Sequence, residues 1–441
     1  MAQSALNLQQ YEDLVHAIDR VPRFATGVKS FPEMAKIYYE KIYSKALNEN
    51  VPPIFEIFIA FVFSKFSLKE KLREYFDEEP PFELKEAVLS GSWSEGLVLF
   101  DPDSFDPPDV DFLCILKNIS FTEEDQATGD LSIIDNSPFV NAYLSDIKSL
   151  ELWQAYFIEA ASEALEGKIC QISSAKLKER LYDNYSKGDN FFTVSSEHCN
   201  PISDGPALKL SRVSAGSSSF GDNLLQTLLE NLWRCSDLVL AIQCHGWPRN
   251  SLEWIRRERN WPSIEVVERI TKEGFHIVAK SSCEGNFRLS FSWAEGILIA
   301  SLNKMQHKTI RAFKAVIKLL LPCNPDQEEI LESYHLKTIA FWHIEKSDPE
   351  SWSKDNSANH LLQMLRELNQ ALRKKSLPMY FIRTYNLFSK VENLSQLEKL
   401  SDKVDEISKD ISGLTNAVRM GASFHFYETH RDYFKAFFPK C

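Results

Sequence analysis

The chain has 441 residues, of which 44% are hydrophobic, 12% aromatic and 25% charged. This composition is typical of a globular protein and excludes a largely disordered one. The formal net charge of −12 excludes a protein that is basic over its whole surface, although it permits a local basic face. The eight cysteines include no CxxC pair, which indicates reduced thiols of a cytoplasmic protein and not a disulfide framework.

The sequence shows no signal for export or membrane insertion. Its start, MAQSALNLQQYEDLV, lacks the basic and apolar regions of a signal peptide. The most apolar stretch, residues 54–63, contains Glu56 and is about half as long as a bilayer span requires. We therefore expect a cytoplasmic protein that makes no membrane contact.

The predicted elements follow the order helices, mixed sheet, helices. Apolar residues at spacings of three and four predict helices over residues 35–47 and 53–76. Segments rich in β-branched and aromatic residues and bounded by turn residues predict strands over residues 85–91, 109–117, 236–244, 275–281 and 287–292. From residue 293 onwards the pattern is helical again. This order predicts a two-lobed α+β protein with a site between the lobes.

An apolar stripe runs through the last part of the chain, from Leu394 to Val418. Its steps alternate between three and four residues, which predicts a helix packed in a bundle. A helix that binds a partner or a second copy of the chain is the alternative.

Three aspartates give the first chemical signal. Asp109 and Asp111 lie two residues apart on a predicted strand, so their side chains share one face. Their mutual repulsion is relieved by a divalent cation, and two such ions about 3.5–4 Å apart can support phosphoryl transfer. An acidic surface loop is the alternative, because three further aspartates lie just upstream. Asp237 begins another apolar strand, and it would join the metal site if that strand lay beside the one carrying Asp111. A capping or loop position is the alternative for Asp237.

A small-residue turn at Gly91-Ser92 precedes these acids. The exposed backbone N–H groups of such a turn can hold a phosphate. Taken alone, a GS turn followed by a DxD pattern is a weak signal.

These motifs together resemble the cyclic GMP-AMP synthase-like receptors of the male-abnormal-twenty-one (Mab) nucleotidyltransferase family. GSWSEG, DVD and SDLVLAI followed by WP occur in the family order. The later blocks are VAK at 278–280, FRLSFSWAE at 287–295, AVIKLLL at 315–321, SYHLKTIAFWH at 333–343 and YFIRTYNLFS at 380–389. The resemblance implies a bilobed nucleotidyltransferase fold with a mixed β-sheet core, an N-terminal spine helix and a C-terminal helical lobe. We expect the lobes to comprise residues 1–260 and 261–441.

The resemblance also implies roles for individual residues. Asp109, Asp111 and Asp237 would be catalytic and would bind two Mg²⁺ or Mn²⁺ ions, and Gly91 and Ser92 would hold the triphosphate. The other implied nucleotide-binding residues are Lys280, Arg288, Ser290, Ser292 and Glu295 for the base and acceptor pockets, and Lys318, Ser333 and Tyr334 for the donor nucleotide. The alternative for these is an ordinary structural role, such as a strand-end charge or a half-buried aromatic ring.

The region after FRLSFSWAE contains no zinc motif but has a basic row. It includes His307 and no cysteine, so we expect no zinc, because a structural zinc site needs four ligands. The residues Lys304, Lys308, Arg311, Lys314 and Lys318 recur on one helix face without a nearby carboxylate, and Arg256, Arg257 and Arg259 form a second patch. This predicts a phosphate-binding face for a nucleic acid, which the resemblance suggests is double-stranded RNA. The alternative is a solvated helix face, with Lys318 turned toward the nucleotide.

The expected function is that of a signal-generating enzyme. It would join two nucleoside triphosphates (ATP, GTP or UTP) into a cyclic dinucleotide for innate immune signalling, with double-stranded RNA as activator and a dimer on the nucleic acid as one arrangement. A catalytically silent interaction protein and a linear oligonucleotide synthetase are the alternatives.

Overall fold

The computed structural model describes residues 2–21, 72–97, 99, 110–158, 168–187, 207–210, 236–279, 286–321 and 330–421. The helix predicted over residues 35–47 and most of the one predicted over residues 53–76 lie outside these residues. Asp109 and Lys280 also lie outside them.

The described elements comprise nine strands and thirteen α-helices. The strands are β1 Leu84–Ser90, β2 Val110–Phe121, β3 Leu131–Ile133, β4 Phe139–Leu144, β5 Cys170–Gln171, β6 Ala207–Leu210, β7 Ser236–Cys244, β8 Phe275–Ala279 and β9 Phe287–Ser290. The helices are α1 Ala2–Asp19, α2 Gly91–Ser94, α3 Glu123–Thr128, α4 Ile147–Trp153, α5 Ser174–Lys187, α6 Leu252–Arg256, α7 Ile264–Glu273, α8 Ser292–Ser301, α9 Lys304–Leu320, α10 Ser333–Lys346, α11 Ser357–Lys374, α12 Leu394–Lys409 and α13 Ile411–Gly421.

The strands form one mixed sheet in the order β1-β2-β7-β8-β9-β4-β3, with β5 paired to β4 and β6 to β7. The β2–β7 pair is parallel and the other pairs are antiparallel. The five strands predicted from the sequence are confirmed as β1, β2, β7, β8 and β9, and the predicted α+β class is confirmed with them. The short strands β3 to β6 were not predicted.

The two faces of the sheet contribute residues to two different hydrophobic clusters. One face carries residues such as Phe112, Cys114 and Leu240, which belong to the main hydrophobic core. The other carries a separate small cluster, formed by Leu113, Ile115, Ala241 and Val278 with Val88 and Val239 packed on it. Because side chains alternate along a strand, this second face is also the face of Asp111 and Asp237. We call it the acid face.

The helices after the sheet pack as a bundle. The apolar face of α11 is fully buried, including Leu361, Leu365 and Leu368. The stripe predicted as one helix is two, because α12 ends at Lys409 and the side chain of Asp410 accepts a hydrogen bond from the Gly413 N–H at 2.9 Å, which caps α13. Its packing role is confirmed, since Leu397, Val404, Leu414 and Val418 are buried.

Helix α1 from the chain's N-terminal segment packs against this bundle. Leu14 and Ile18 of α1 are fully buried. Asp19 near its end forms ion pairs with Lys308 of α9 at 3.3 Å and with Lys354 at 3.1 Å. Within the described ranges, no helix has both the length and the hydropathy needed to cross a membrane.

Candidate functional site

Asp111 and Asp237 occupy the same row of the sheet. Strand register places Asp111 opposite Asp237 across the parallel pair β2–β7, and Ser90 opposite Asp111 across β1–β2. Neighbouring strands are about 4.8 Å apart, and residues in register point to the same face. The strand adjacency required by the metal hypothesis is therefore confirmed for these two acids. The third predicted ligand, Asp109, lies outside the described residues.

Gly91 lies directly against the carboxylate of Asp111. Its φ is +62°, and a Cβ placed on it would collide with Asp111 Oδ2 and lie 2.9 Å from Asp111 Cγ. Glycine is thus required here for two reasons, the left-handed backbone and the close approach of a side chain. The predicted phosphate turn and the acid row therefore form one site at the end of β1.

A lysine from the helical lobe holds the segment that follows this turn. Lys314 of α9 donates hydrogen bonds to Ser92 Oγ at 2.9 Å and to the Leu97 carbonyl oxygen at 3.1 Å. It is only 6% exposed, and its burial lowers its pKa to about 8, partly offset by Glu95. An ammonium with this pKa is still mainly protonated at pH 7, so Lys314 brings a positive charge to the loop that the resemblance assigns to the triphosphate.

A buried ionic cluster ties the same segment to two further helices. The Lys337 ammonium of α10 lies 2.6 Å from Glu95 Oε1 and 2.5 Å from Glu295 Oε2 of α8. Burial raises the pKa of Glu95 despite the opposing effect of Lys337. Burial alone would lower the pKa of Lys337, but the carboxylates of Glu295 and Glu95 raise it well above its usual value. The lysine therefore stays charged and is shared between two acids.

Sequence reasoning missed the roles of Glu95, Lys314 and Lys337. Glu95 lies inside the quoted motif GSWSEG, and Lys337 interrupts the apolar helix SYHLKTIAFWH. A charged residue that faces a buried helix surface needs a partner. That signal was available in the sequence, but it does not identify which partner.

Several predicted nucleotide-pocket residues come together beside the acid face. Arg288 and Ser290 of β9 lie on it, since Arg288 is in register with Val278, which is in register with Ala241. Ser290 and Ser292 are linked through their hydroxyl oxygens at 3.1 Å. Tyr334 at the start of α10 interacts electrostatically with Arg288 and Glu295. Its pKa is raised mainly by burial and, to a smaller extent, by the negative charge of Glu295.

Two other predicted residues, Lys318 and Ser333, are exposed at the end of α9 and the start of α10. The binding role of every residue in this pocket stays a prediction.

The basic row of α9 is mostly interior, which corrects the expectation of a solvent-facing row. Lys308, Arg311 and Lys314 are 5%, 2% and 6% exposed. Lys308 donates to the carbonyl oxygen of Asp19 and pairs with its carboxylate, and Lys314 holds Ser92. The helix itself has no carboxylate, but its partners come from α1 and from the loop after β1. Lys304 and Lys318 remain exposed.

The second basic patch is corrected in the same way at Arg257. Its guanidinium lies over the Trp342 ring at 4.4 Å and pairs with Glu253 at 2.6 Å and Glu345 at 3.2 Å. It also donates to the Tyr380 carbonyl oxygen at 3.1 Å. Arg257 therefore joins α6 to α10, whereas its neighbour Arg256 is exposed.

The donor set at the acid row fits a hard divalent cation. Carboxylate oxygens are the ligands that Mg²⁺ and Mn²⁺ prefer, and Asp111 and Asp237 supply them from adjacent strands. Among the described residues there is no group of three or more His, Cys, Asp and Glu side chains that could hold a metal. His307, the one histidine considered for zinc, is hydrogen-bonded through Nε2 to the Glu95 carbonyl oxygen at 3.1 Å.

Two family models match the chain. Residues 123–301 match the Mab-21 protein nucleotidyltransferase domain, and residues 305–406 match the Mab-21 protein HhH/H2TH-like domain. Asp237 lies inside the first match, whereas Gly91, Ser92 and Asp111 precede it. The sheet register connects Asp111 to the matched region, and the contact between Gly91 and Asp111 connects the turn to it. The lobe boundary after residue 260 stays a prediction.

Curated relatives include a cyclic GMP-AMP synthase, a synthase-like receptor and a mab-21-like protein. The chain is 28% identical over 222 residues to a cyclic GMP-AMP synthase-like receptor of Tribolium castaneum, which covers 48% of this chain and 47% of the relative. It is 29% identical over 191 residues to the cyclic GMP-AMP synthase of Mus musculus (38% and 37%) and 28% identical over 162 residues to protein mab-21-like 3 of Danio rerio (36% and 40%). The matches thus span less than half of each of these relatives.

Proposed function

The chain belongs to the Mab-21 nucleotidyltransferase family, and from that premise we propose that it is a metal-dependent enzyme that joins two nucleoside triphosphates into a cyclic dinucleotide. The observation that carries the proposal is the row in which Asp111 lies beside Asp237, with Gly91 against the Asp111 carboxylate. A phosphate-binding turn next to paired acids is what nucleotidyl transfer requires, because that reaction depends on positioning and on neutralising negative charge.

In this proposal Asp111 and Asp237, with Asp109, hold Mg²⁺ or Mn²⁺. When bound, these ions neutralise phosphate charge and lower the pKa of the attacking ribose hydroxyl. The chain's own groups bind and orient the two nucleotides. Ser92 and the backbone of its turn bind the triphosphate. The Tyr334 ring and the planar guanidinium group of Arg288 stack on the bases.

The decisive experiment incubates the protein with four labelled nucleoside triphosphates and Mn²⁺ and separates the products after phosphatase treatment. A cyclic product has no terminal phosphate and resists phosphatase, whereas a linear oligonucleotide is trimmed. Asp111→Asn and Asp237→Asn are each expected to abolish the product without unfolding the protein. Asp355→Asn, at an exposed position outside the site, is the matched control. Full activity of either site variant would contradict the metal assignment.

We further propose that a nucleic acid, with double-stranded RNA as the first choice, activates the enzyme in the cytoplasm as part of innate immune signalling. Resemblance to synthase-like receptors supports the choice of activator. Of the predicted nucleic-acid-binding residues, Arg256 and Lys304 are exposed and available to contact phosphates. In this proposal two copies of the protein share one duplex. The same product assay with and without a synthetic RNA duplex, over a range of salt concentrations, tests this. Stimulation that is absent, or that does not weaken with salt, would contradict it.

A second candidate function is that of a binding protein without catalysis. The similarity to protein mab-21-like 3, whose name states no activity, favours it. A thermal melt distinguishes the two candidates, because an enzyme that binds GTP with Mn²⁺ is stabilised by them. An unchanged melting temperature would favour the binding protein.

A further inference from the structure

We propose that Lys314 is a positioning residue for Ser92, acting from the helical lobe to fix the direction in which the Ser92 hydroxyl donates its hydrogen. The inference deepens the proposed function and rests on it, because the group that receives this hydrogen bond is a phosphate of the bound nucleotide. Lys314 itself is assigned no contact with the nucleotide.

The direction follows from what each group can do. A lysine ammonium is a donor only, whereas a serine hydroxyl can both accept and donate. Since Lys314 Nζ lies 2.9 Å from Ser92 Oγ, the serine oxygen accepts this bond. Its own hydrogen must then point elsewhere. A hydroxyl that otherwise rotates among several partners is thereby kept as a donor.

Lys314 also contacts the loop backbone, at the Leu97 carbonyl oxygen, but several other hydrogen bonds hold the loop in shape. The Glu95 and Leu97 N–H groups donate to the carbonyl oxygens of Gly91 and Ser92 at 3.2 and 2.9 Å. The carbonyl and carboxylate of Glu95 are held by His307 and Lys337. Removing the Lys314 ammonium therefore takes away the donor to the Ser92 hydroxyl and to the Leu97 carbonyl oxygen and leaves these other contacts in place.

The placement of Lys314 makes its effect specific to phosphate. Gly91, next to Ser92, lies on the Asp111 carboxylate at the acid row, so a phosphate bound near the acids is within reach of the serine. An ammonium bonded to the oxygen also draws charge from the hydroxyl and strengthens it as a donor. The base is bound elsewhere in the proposed site, so its contribution to affinity does not pass through Lys314.

The test is a double-mutant cycle on equilibrium binding of GTP and of guanosine, both with Mg²⁺. Lys314→Met and Ser92→Ala are each expected to weaken GTP binding about ten- to hundredfold, the effect of losing one hydrogen bond to a charged group. Guanosine affinity stays unchanged. The double variant is expected to bind GTP within about threefold of the weaker single variant, because both changes remove the same interaction.

Lys308→Met is the matched control. Lys308 is a buried lysine on the same helix, but it binds Asp19 and not the loop, so its loss should leave GTP affinity unchanged. If thermal denaturation shows that Lys314→Met does not fold, Lys314→Gln, which keeps a neutral donor, takes its place in the cycle.

Three results would overturn the inference. If the loss of GTP affinity in the double variant equals the product of the two single losses, Lys314 acts independently of Ser92. An equal loss of guanosine affinity would mean that Lys314 has only a structural role. A wild-type protein that binds none of GTP, ATP and UTP would remove the proposed function and this inference with it, whereas the first two results leave the proposed function intact.

Discussion

The acid row of the sheet and the basic row of α9 are equally regular in sequence, but the structure places their side chains very differently. Asp111 and Asp237 share one face of the sheet, as the two-residue period of a strand requires once strand order is known. On α9 the regular cations Lys308, Arg311 and Lys314 face the interior. A regular spacing shows which residues share a face, but it does not show what that face meets.

The sharpest test of the buried cations is Lys337→Met. The substitution leaves the carboxylates of Glu95 and Glu295 buried without their shared ammonium, so we expect stability to fall by about 3–5 kcal/mol. Urea unfolding measures this. Lys374→Met, at an exposed position on α11, should stay within about 0.5 kcal/mol of wild type. A loss below about 1 kcal/mol for Lys337→Met would show that the carboxylates are stable without this lysine.

The acid face has its own buried titratable group in His276 of β8. This residue is 4% exposed, and burial, with smaller effects of Lys85 and His245, lowers its pKa from 6.5 to about 4. The folded protein favours the neutral form of His276. The contribution of His276 to stability is therefore fully present above pH 6.5. It is lost as pH falls from 6.5 toward 4.

We expect protonation of His276 to lower the free energy of unfolding by about 2 kcal/mol between pH 7 and pH 5. The pKa values of His335 and His360 are also lowered by burial, so their effects have the same sign. Urea unfolding of wild type and His276→Phe at both pH values separates them. An equal pH dependence in the two proteins would show that His276 does not contribute.

At the acid row, Gly91→Ala tests how closely the turn and the acids are coupled. The backbone at φ +62° resists a side chain, which costs about 1–2 kcal/mol. In addition, the new Cβ displaces the Asp111 carboxylate, so nucleotidyl transfer should be lost as well. Gly129→Ala is a matched control, because Gly129 also has a positive φ of +97° but nothing lies within 4 Å of its Cβ position. Equal activity in the two variants would contradict the coupling of Gly91 and Asp111.

The contrast between the two rows also shows how much could be predicted from the sequence. The strands of the site and the fold class were predictable, because alternation and turn residues are local properties. The partners of Lys314 were not, since Ser92 lies 222 residues away along the chain. The break between α12 and α13 was missed because the apolar spacing continues through Asp410, whose capping role depends on local geometry. Long-range contacts of charged residues are therefore where the sequence prediction failed.

The smallest expected effects distinguish a buried from an exposed lysine of the basic row on α9. Lys308→Met removes the bonds to Asp19 that fasten α1 to α9, so stability should fall by about 1–2 kcal/mol while stimulation by RNA stays unchanged. Lys304→Glu, at the exposed start of α9, should change stability by less than about 0.5 kcal/mol but weaken RNA stimulation and its salt dependence. Urea unfolding and the product assay with an RNA duplex measure both properties in both variants. If Lys308→Met reduced RNA stimulation more than Lys304→Glu did, the assignment of Lys308 to a purely structural contact would be wrong.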